Sequence, residues 1–210
     1  MTNIFSYRVR FSKSGRLRFL SHHELMRAFE RALRRTGLPL RMTEGFNPHL
    51  IMAFPVALAT GIESRDEVME LELSTWTAPK KIESALAEQM PEGIAVSGVE
   101  AFHRGAREQV DYVEYEAALP EPPADLEARI EAFLDREECV VDRDRGAVVK
   151  SVEIRKYVME LDREGSAVLM RIQNTDGGTA RPDEVLRALG LEPDGCVRIV
   201  KTFTALKRRD

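Results

Sequence analysis

One stretch decides the fold of the first half of this chain. It covers residues 7–61 and reads YRVRFSKSGRLRFLSHHELMRAFERALRRTGLPLRMTEGFNPHLIMAFPVALATG. Apolar and basic residues alternate over positions 7–11, the period of a half-buried strand. Ser21 and Glu24 have the spacing of a helix capping box, and Gly37 is placed to end that helix. The stretch therefore predicts a strand, a capped basic helix and then a loop.

The remainder of the first half completes a recognisable order of elements. The apolar run at 50–59 contains Pro55, which favours an edge strand or an irregular extended segment. Alternation at 69–73 predicts a strand, helical spacing at 79–90 predicts a helix, and residues 94–102 read as a further strand. The resulting β-α-β-β-α-β order is the split βαβ, or ferredoxin-like, pattern.

The second half repeats this order of elements without repeating the sequence. Its predicted strands cover 112–119, 157–161, 167–172 and 197–203, its predicted helices begin at Pro122 and Pro182, and an extra hairpin turns at Arg145. We therefore predict an α+β fold with tandem ferredoxin-like domains, whose antiparallel sheets carry helices on one face. The predicted domains are residues 1–104 and 110–210, joined by a polar segment at 103–109, and the last four residues are expected to fray.

Composition excludes several classes of protein. Of the 210 residues, 43% are hydrophobic and 31% are charged, and no apolar run approaches the roughly 20 residues needed to span a bilayer. The N-terminus lacks the layout of a signal peptide, so we expect a cytoplasmic protein without a membrane partner. Cys139 and Cys196 are too few for a thiolate metal cage, and we predict two packed thiols, no metal and no cofactor.

Positive charge is concentrated near the start of the chain. Between Tyr7 and Arg41 there are ten basic residues and two acids, in a chain of net charge −4. This asymmetry predicts an anion-binding face, and arginine binds phosphate oxygens bidentately. The alternative is a solvated helix face on which Glu30 pairs with Arg34. The predicted nucleic-acid-binding residues are Arg16, Arg18, Arg27, Arg31, Arg34, Arg35, Arg41, Asn47 and His49.

Two further arginines have a structural interpretation. In a split βαβ sheet the first and third strands are neighbours, so Arg8 and Arg10 are expected to pair with Glu70 and Glu72. Because alternation turns Phe11 inward, we expect no exposed aromatic platform of the kind that RNA-recognition sheets use.

Three histidines are candidate catalytic residues. His22 and His23 fall in the first turn of the predicted helix, where we expect one to pack and the other to be exposed, and His49 ends the loop GFNPH at 45–49. Clustered, they would suit metal binding or acid–base cleavage of RNA. The alternative is that they form hydrogen bonds or contact an anion. The loop itself reads either as a turn or as a binding loop. Its position after a basic helix, and Phe46, a residue type usually found inside a protein, favour the binding loop.

Three segments carry a family resemblance: RFLSH at 18–22, GFNPH at 45–49 and LATGIES at 58–64. They resemble the radical-SAM-linked protein family, a bacterial group of undefined biochemical function whose members are fused to, or encoded beside, a radical SAM protein. The resemblance implies a radical SAM protein as partner and supplies no established catalytic residues. The chain has no C-x-x-x-C-x-x-C motif, so it resembles the stand-alone partner. A looser resemblance, in element order and a histidine near the first helix, is to the tandem ferredoxin-like RNA-processing endonucleases of CRISPR systems.

Together these observations predict an accessory protein that binds RNA or another polyanion. It would present RNA, with tRNA and rRNA as the classes considered, to a radical SAM enzyme for modification. We expect it not to be an enzyme itself. One alternative is a metal-independent endoribonuclease that uses His22, His23 or His49. Another is a docking module whose basic face binds an acidic patch of the radical SAM partner.

Overall fold

A computed structural model describes residues 4–102, 108–144, 149–193 and 197–208. These residues form an α+β fold with four α-helices and antiparallel-dominated sheet pairing. Its internal contacts divide the chain into two compact units, residues 1–109 with 206–210, and residues 110–205. None of the helices that the described residues form is both long enough and apolar enough to cross a membrane.

The first unit contains four strands and two α-helices. They are β1 (Phe5–Lys13), α1 (His22–Arg35), β2 (Met52–Ala53), β3 (Glu63–Leu73), α2 (Pro79–Ala87) and β4 (Ile94–Phe102). β1 lies between β3 and β4, and β2 pairs with β3, so these four strands follow the order β4-β1-β3-β2. All three pairings are antiparallel. The proline-containing run after the loop forms only the two-residue edge strand β2, as its sequence indicated.

Helix α1 begins and ends where the sequence predicted. The Glu24 carboxylate accepts hydrogen bonds from the Ser21 backbone N–H at 2.8 Å and from the Ser21 hydroxyl at 2.7 Å. The Ser21 hydroxyl in turn accepts from the Glu24 backbone N–H at 3.3 Å. These contacts form the capping box, which satisfies backbone donors of the first helical turn. Gly37, with a φ of +68°, follows the helix in the left-handed conformation expected of its stop.

The core of the first unit lies on one face of its sheet. Alternate residues of β1 and β3 point to this face, and α1 and α2 both pack against it. Ala28 of α1 is buried, whereas Met26 is half-buried. The completely buried side chains include Tyr7, Val9, Phe11, Phe29, Met69, Leu73, Ile82 and Leu86.

The cross-strand ion pairs agree with the prediction at Arg8 and differ from it at Arg10. Arg8 lies opposite Glu70 in the β1–β3 register and donates to it at 3.1 Å. Arg10 lies opposite Val68 and binds Asp66 at 2.7 Å. Glu72 is further along β3, so its carboxylate accepts from Arg41.

The second unit contains the remaining elements, except that the end of the last strand, from Leu206, belongs to the first unit. These elements are β5 (Glu108–Ala118), α3 (Leu126–Leu134), β6 (Val140–Asp144), β7 (Val149–Glu153), β8 (Val158–Glu164), β9 (Ala167–Gln173), α4 (Pro182–Ala188) and β10 (Arg198–Arg208). β6 and β7 pair only with each other, as a two-stranded hairpin. The order of the other strands is β8-β9-β5-β10.

Some predicted features lie outside the described residues. These are the hairpin turn at Arg145, the second cysteine, Cys196, most of the polar segment at 103–109, and the last two residues. Cys139 is described and is a free, half-buried thiol. Lys207 and Arg208 were expected to fray but belong to β10.

Candidate nucleic-acid interface

Helix α1 carries a stripe of basic side chains on the side opposite the core. His23, Arg27, Arg31 and Arg34 are exposed and recur every three or four residues, the spacing that places side chains on one helical face. We call these four residues the outer face of α1. Arg35, also exposed, lies at its edge. The sequence predicted this grouping of arginines, and the structure brings it together.

The arginines of α1 differ in their partners. Arg34 donates to Glu30, one turn earlier, at 2.9 Å. Arg35 donates to the side-chain oxygen of Gln89 at 2.9 Å and to its carbonyl oxygen at 2.6 Å, so its partner is neutral. Arg27 and Arg31 form no ion pair within the part of the chain that the structure describes. Two adjacent positions on the outer face therefore present guanidinium groups to solvent.

The other predicted phosphate-binding arginines lie outside α1. Arg16 and Arg18 belong to a short 3-10 helix, Gly15–Phe19, that precedes it. Arg18 lies 3.4 Å from Glu63 and 4.7 Å above the Phe19 ring. Arg16 is exposed, and no ion pair of its own is found among the described residues.

Arg41 precedes the GFNPH loop, and its guanidinium binds Glu72, a residue only 9% exposed. Of the seven predicted arginines, Arg18, Arg34 and Arg41 thus have carboxylate partners. Their part in nucleic-acid binding, like that of the other four, stays a prediction.

The three histidines have different surroundings. The His22 ring is half-buried and meets the Phe54 ring edge-on, with centroids 5.7 Å apart. His23 is exposed, with its ring centroid 6.1 Å from that of His22, so one histidine packs and the other is exposed, as predicted. His49 is exposed, and among the described residues its ring contacts neither of the others. Nowhere in the described ranges do three histidine, cysteine or carboxylate side chains group as metal ligands.

The GFNPH loop is closed at its base. The Thr43 backbone N–H donates to the His49 carbonyl at 2.8 Å, and the His49 N–H donates to the Thr43 hydroxyl at 2.9 Å. Gly45 supplies a φ of +126°, a conformation that glycine adopts without strain. Phe46, a residue type usually found inside a protein, has a fully exposed side chain. Closure at Thr43 and His49 leaves Phe46 at the tip, away from the core.

Sequence analysis missed a buried lysine beside this region. Lys13 was one of the ten basic residues counted between Tyr7 and Arg41, but it is 1% exposed, and its ammonium donates to the Arg18 carbonyl at 3.3 Å. Burial lowers the pKa of Lys13, while the negative charge of Glu67 acts in the opposite direction. Position 13 has the same parity as the inward-facing positions 7, 9 and 11, so strand alternation was the signal that could have found it.

Comparison with known proteins supplies a family. No curated protein matches this sequence. A bacterial family matches residues 6–182, which is most of the chain. The chain belongs to that family, which is described as "Uncharacterized protein conserved in bacteria (DUF2344)".

Proposed function

We propose that this protein is an accessory RNA-binding protein that presents RNA to a radical SAM enzyme for modification. The radical SAM partner is inferred from the resemblance of the RFLSH, GFNPH and LATGIES segments to the radical-SAM-linked protein family. The observation that carries RNA binding is the pair Arg27 and Arg31, exposed one turn apart on α1 and without an ion pair among the described residues.

The arginines differ in the free energy needed to break their existing ion pairs, and this cost ranks them as phosphate ligands. Neither Arg27 nor Arg31 forms a described ion pair that it would have to break before it binds a phosphate, although Arg27 also interacts with the charge of Glu24 in the capping box. The Arg34–Glu30 pair is exposed, and exposed helix pairs of this kind are worth only about 0.3–0.5 kcal/mol, so Arg34 can exchange its partner at small cost. Arg41 would have to leave Glu72, whose side chain is 10% exposed, and breaking an ion pair at so buried a carboxylate costs more.

The strand orders support a finer description of the fold. Both β4-β1-β3-β2 in the first unit and β10-β5-β9-β8 in the second have the arrangement of a split βαβ sheet. We propose that each unit is a ferredoxin-like domain, with β6 and β7 as a hairpin inserted in the second. The corresponding domains are residues 1–104 and 110–210.

The test of RNA binding is a matched pair of charge reversals. The first variant is Arg27→Glu with Arg31→Glu. The control is Lys80→Glu with Lys81→Glu, which makes the same change in net charge at exposed positions of α2 in the same unit. Fluorescence anisotropy with a fluorescein-labelled tRNA transcript and a labelled rRNA fragment is measured from 50 to 200 mM salt.

RNA binding through α1 predicts that wild-type affinity falls with salt. It also predicts that the α1 variant loses at least about tenfold in affinity at 50 mM salt, with a smaller salt slope, while the α2 control stays close to wild type. Equal losses in both variants would mean a nonspecific charge effect and would overturn the assignment. A wild-type protein that binds neither RNA would overturn RNA binding altogether.

A pull-down of the radical SAM partner, with and without ribonuclease treatment, separates presentation from simple docking. Presentation predicts that the α1 variant loses RNA while the partner is retained. If the α1 variant loses the partner and the wild type ignores free RNA, the outer face of α1 is a protein-docking surface.

A further inference from the structure

The loop at 43–49 displays an aromatic ring that the core does not use. Phe11 and Phe29 are completely buried, whereas Phe46 at the loop tip is fully exposed. Its neighbours Asn47 and His49 are exposed as well. Exposing a phenylalanine forgoes the free energy of burial that usually places this residue inside a protein. The ring is therefore available to a ligand at no cost to the core.

The loop is anchored to the sheet at both of its ends. The Arg41 backbone N–H donates to the Glu72 carbonyl at 3.0 Å, and the Glu72 N–H donates to the Ile51 carbonyl at 3.1 Å. The Ile51 N–H donates to the Arg41 carbonyl at 3.0 Å, which joins the two ends of the loop to each other. The bonds between Thr43 and His49 add a second closure nearer the tip. Phe46 is thus presented from a fixed base.

The chain that leaves the loop packs against α1. Phe54, three residues beyond Ile51, contacts the Phe29 ring with centroids 5.4 Å apart. Phe29 lies on the buried side of the helix whose outer face carries Arg27 and Arg31. The aromatic tip and the basic face therefore belong to the same packed unit.

We propose that Phe46 stacks on an unpaired base of the bound RNA. This inference rests on the proposed function, and it specifies the substrate class as RNA with single-stranded or looped segments. An aromatic ring stacks on any exposed base, whereas an A-form duplex keeps its bases stacked and its major groove too narrow for side chains. Apart from Pro48 the loop residues beside Phe46 are glycine or polar, Glu44 being the acid among them. This polar setting suits a nucleotide base better than an apolar protein surface.

The experiment compares two RNA probes. One is a hairpin with 2-aminopurine in its single-stranded loop, and the other is a blunt duplex of the same length. Phe46→Ala is tested beside Phe46→Tyr, which keeps the ring. Trp76→Ala serves as the matched control, because Trp76 is an exposed aromatic residue elsewhere in the first unit.

Stacking predicts that Phe46→Ala lowers affinity for the hairpin by about 5- to 100-fold and abolishes the 2-aminopurine quenching. Affinity for the duplex stays unchanged, and Phe46→Tyr and Trp76→Ala behave like wild type on both probes. If Phe46→Ala weakens binding to hairpin and duplex equally, the stacking inference is wrong. If Phe46→Ala changes binding to neither probe, the stacking inference is also wrong, and a protein-docking role for Phe46 fits that result. If the Arg27 and Arg31 reversals still weaken binding, only the stacking inference is wrong. If the wild type binds neither probe, both proposals are wrong.

Discussion

Glu30 accepts a hydrogen bond from Arg34 at 2.9 Å, across one turn of the exposed side of α1. Of the acids on this helix, Glu24 is held in the capping box, so Glu30 is the carboxylate that lies among the arginines. If α1 binds phosphate, this carboxylate opposes binding, because it competes for Arg34 and repels the ligand.

Glu30→Gln is therefore expected to raise RNA affinity, by up to about fivefold at 50 mM salt. Glu83→Gln is the control, since Glu83 is paired in a similar way with Lys80 on α2. Anisotropy titrations of both variants against the same RNA check the expectation. A loss of affinity in Glu30→Gln would mean that the ion pair orients Arg34 for binding, and an equal gain in both variants would assign the effect to net charge.

Local patterns were enough to predict much of the first unit. The capping box, the Gly37 stop and the alternation of β1 depend on residues close in sequence, and the structure has all three. Proline in the run after the loop likewise restricted the edge strand to Met52–Ala53.

Which arginines have carboxylate partners far away in the sequence could not be predicted from local sequence patterns. Arg18 and Arg41 meet Glu63 and Glu72, which are 45 and 31 residues away in the sequence and come close only in the folded unit. The exposure of the Phe46 side chain was not predictable from local sequence either, because it follows from the closure of the loop and not from the hydrophobicity of the residue. Sequence reasoning therefore located the basic region, and tertiary contacts determine which side chains in it are available.

The capping box of α1 is expected to make the free energy of unfolding depend on pH. Hydrogen bonds from the Ser21 hydroxyl, and then from its backbone N–H, hold the pKa of Glu24 below its ordinary value. A carboxyl whose pKa is lower in the folded state stabilises the protein fully above the unfolded pKa, about 4.3. That stability is lost as the pH falls through the folded pKa.

The free energy of unfolding of the wild type should therefore exceed that of Glu24→Gln near neutral pH, and the difference should shrink towards zero as the pH falls below the ordinary pKa of glutamate. Urea denaturation at a series of pH values measures it. Glu92→Gln, at an exposed glutamate outside any helix, is the control. A difference that persists unchanged at low pH would mean that the charge of Glu24 is not what stabilises the cap.

His22 is expected to be a structural residue. Its ring packs on Phe54, and aromatic pairs of this geometry are worth about 0.5–1.5 kcal/mol. His22→Ala should therefore lower the free energy of unfolding by roughly that amount, while the exposed His23→Ala stays within about 0.5 kcal/mol of the wild type. Incubation of each protein with labelled RNA should give no cleavage. If the wild type cleaves RNA without metal and His22→Ala or His49→Ala does not, the protein is an endoribonuclease.

In the second unit, Arg143 and Glu184 form a buried bidentate ion pair. Arg143 Nε donates to Oε1 and Nη2 donates to Oε2, each at 2.7 Å, and the two side chains are 9% and 4% exposed. The hydrogen bonds to Glu184 raise the pKa of Arg143. Arg143 also donates to the Thr179 carbonyl at 3.1 Å, and the Arg181 N–H donates to Glu184 at 2.9 Å. The pair thus ties β6 to α4 and to the segment before it.

Breaking one side of such a pair strands a buried charge, so Arg143→Met and Glu184→Gln should each cost about 3–5 kcal/mol of unfolding free energy. The double variant Arg143→Met with Glu184→Gln should cost much less than the sum, because no charge is left without its partner. Arg187→Met and Asp183→Asn, which break an exposed pair on α4, provide the comparison cycle and should change stability by at most about 1 kcal/mol. Additive losses at Arg143 and Glu184 would mean that each side chain acts through its other contacts, and that the ion pair does not hold the hairpin to α4.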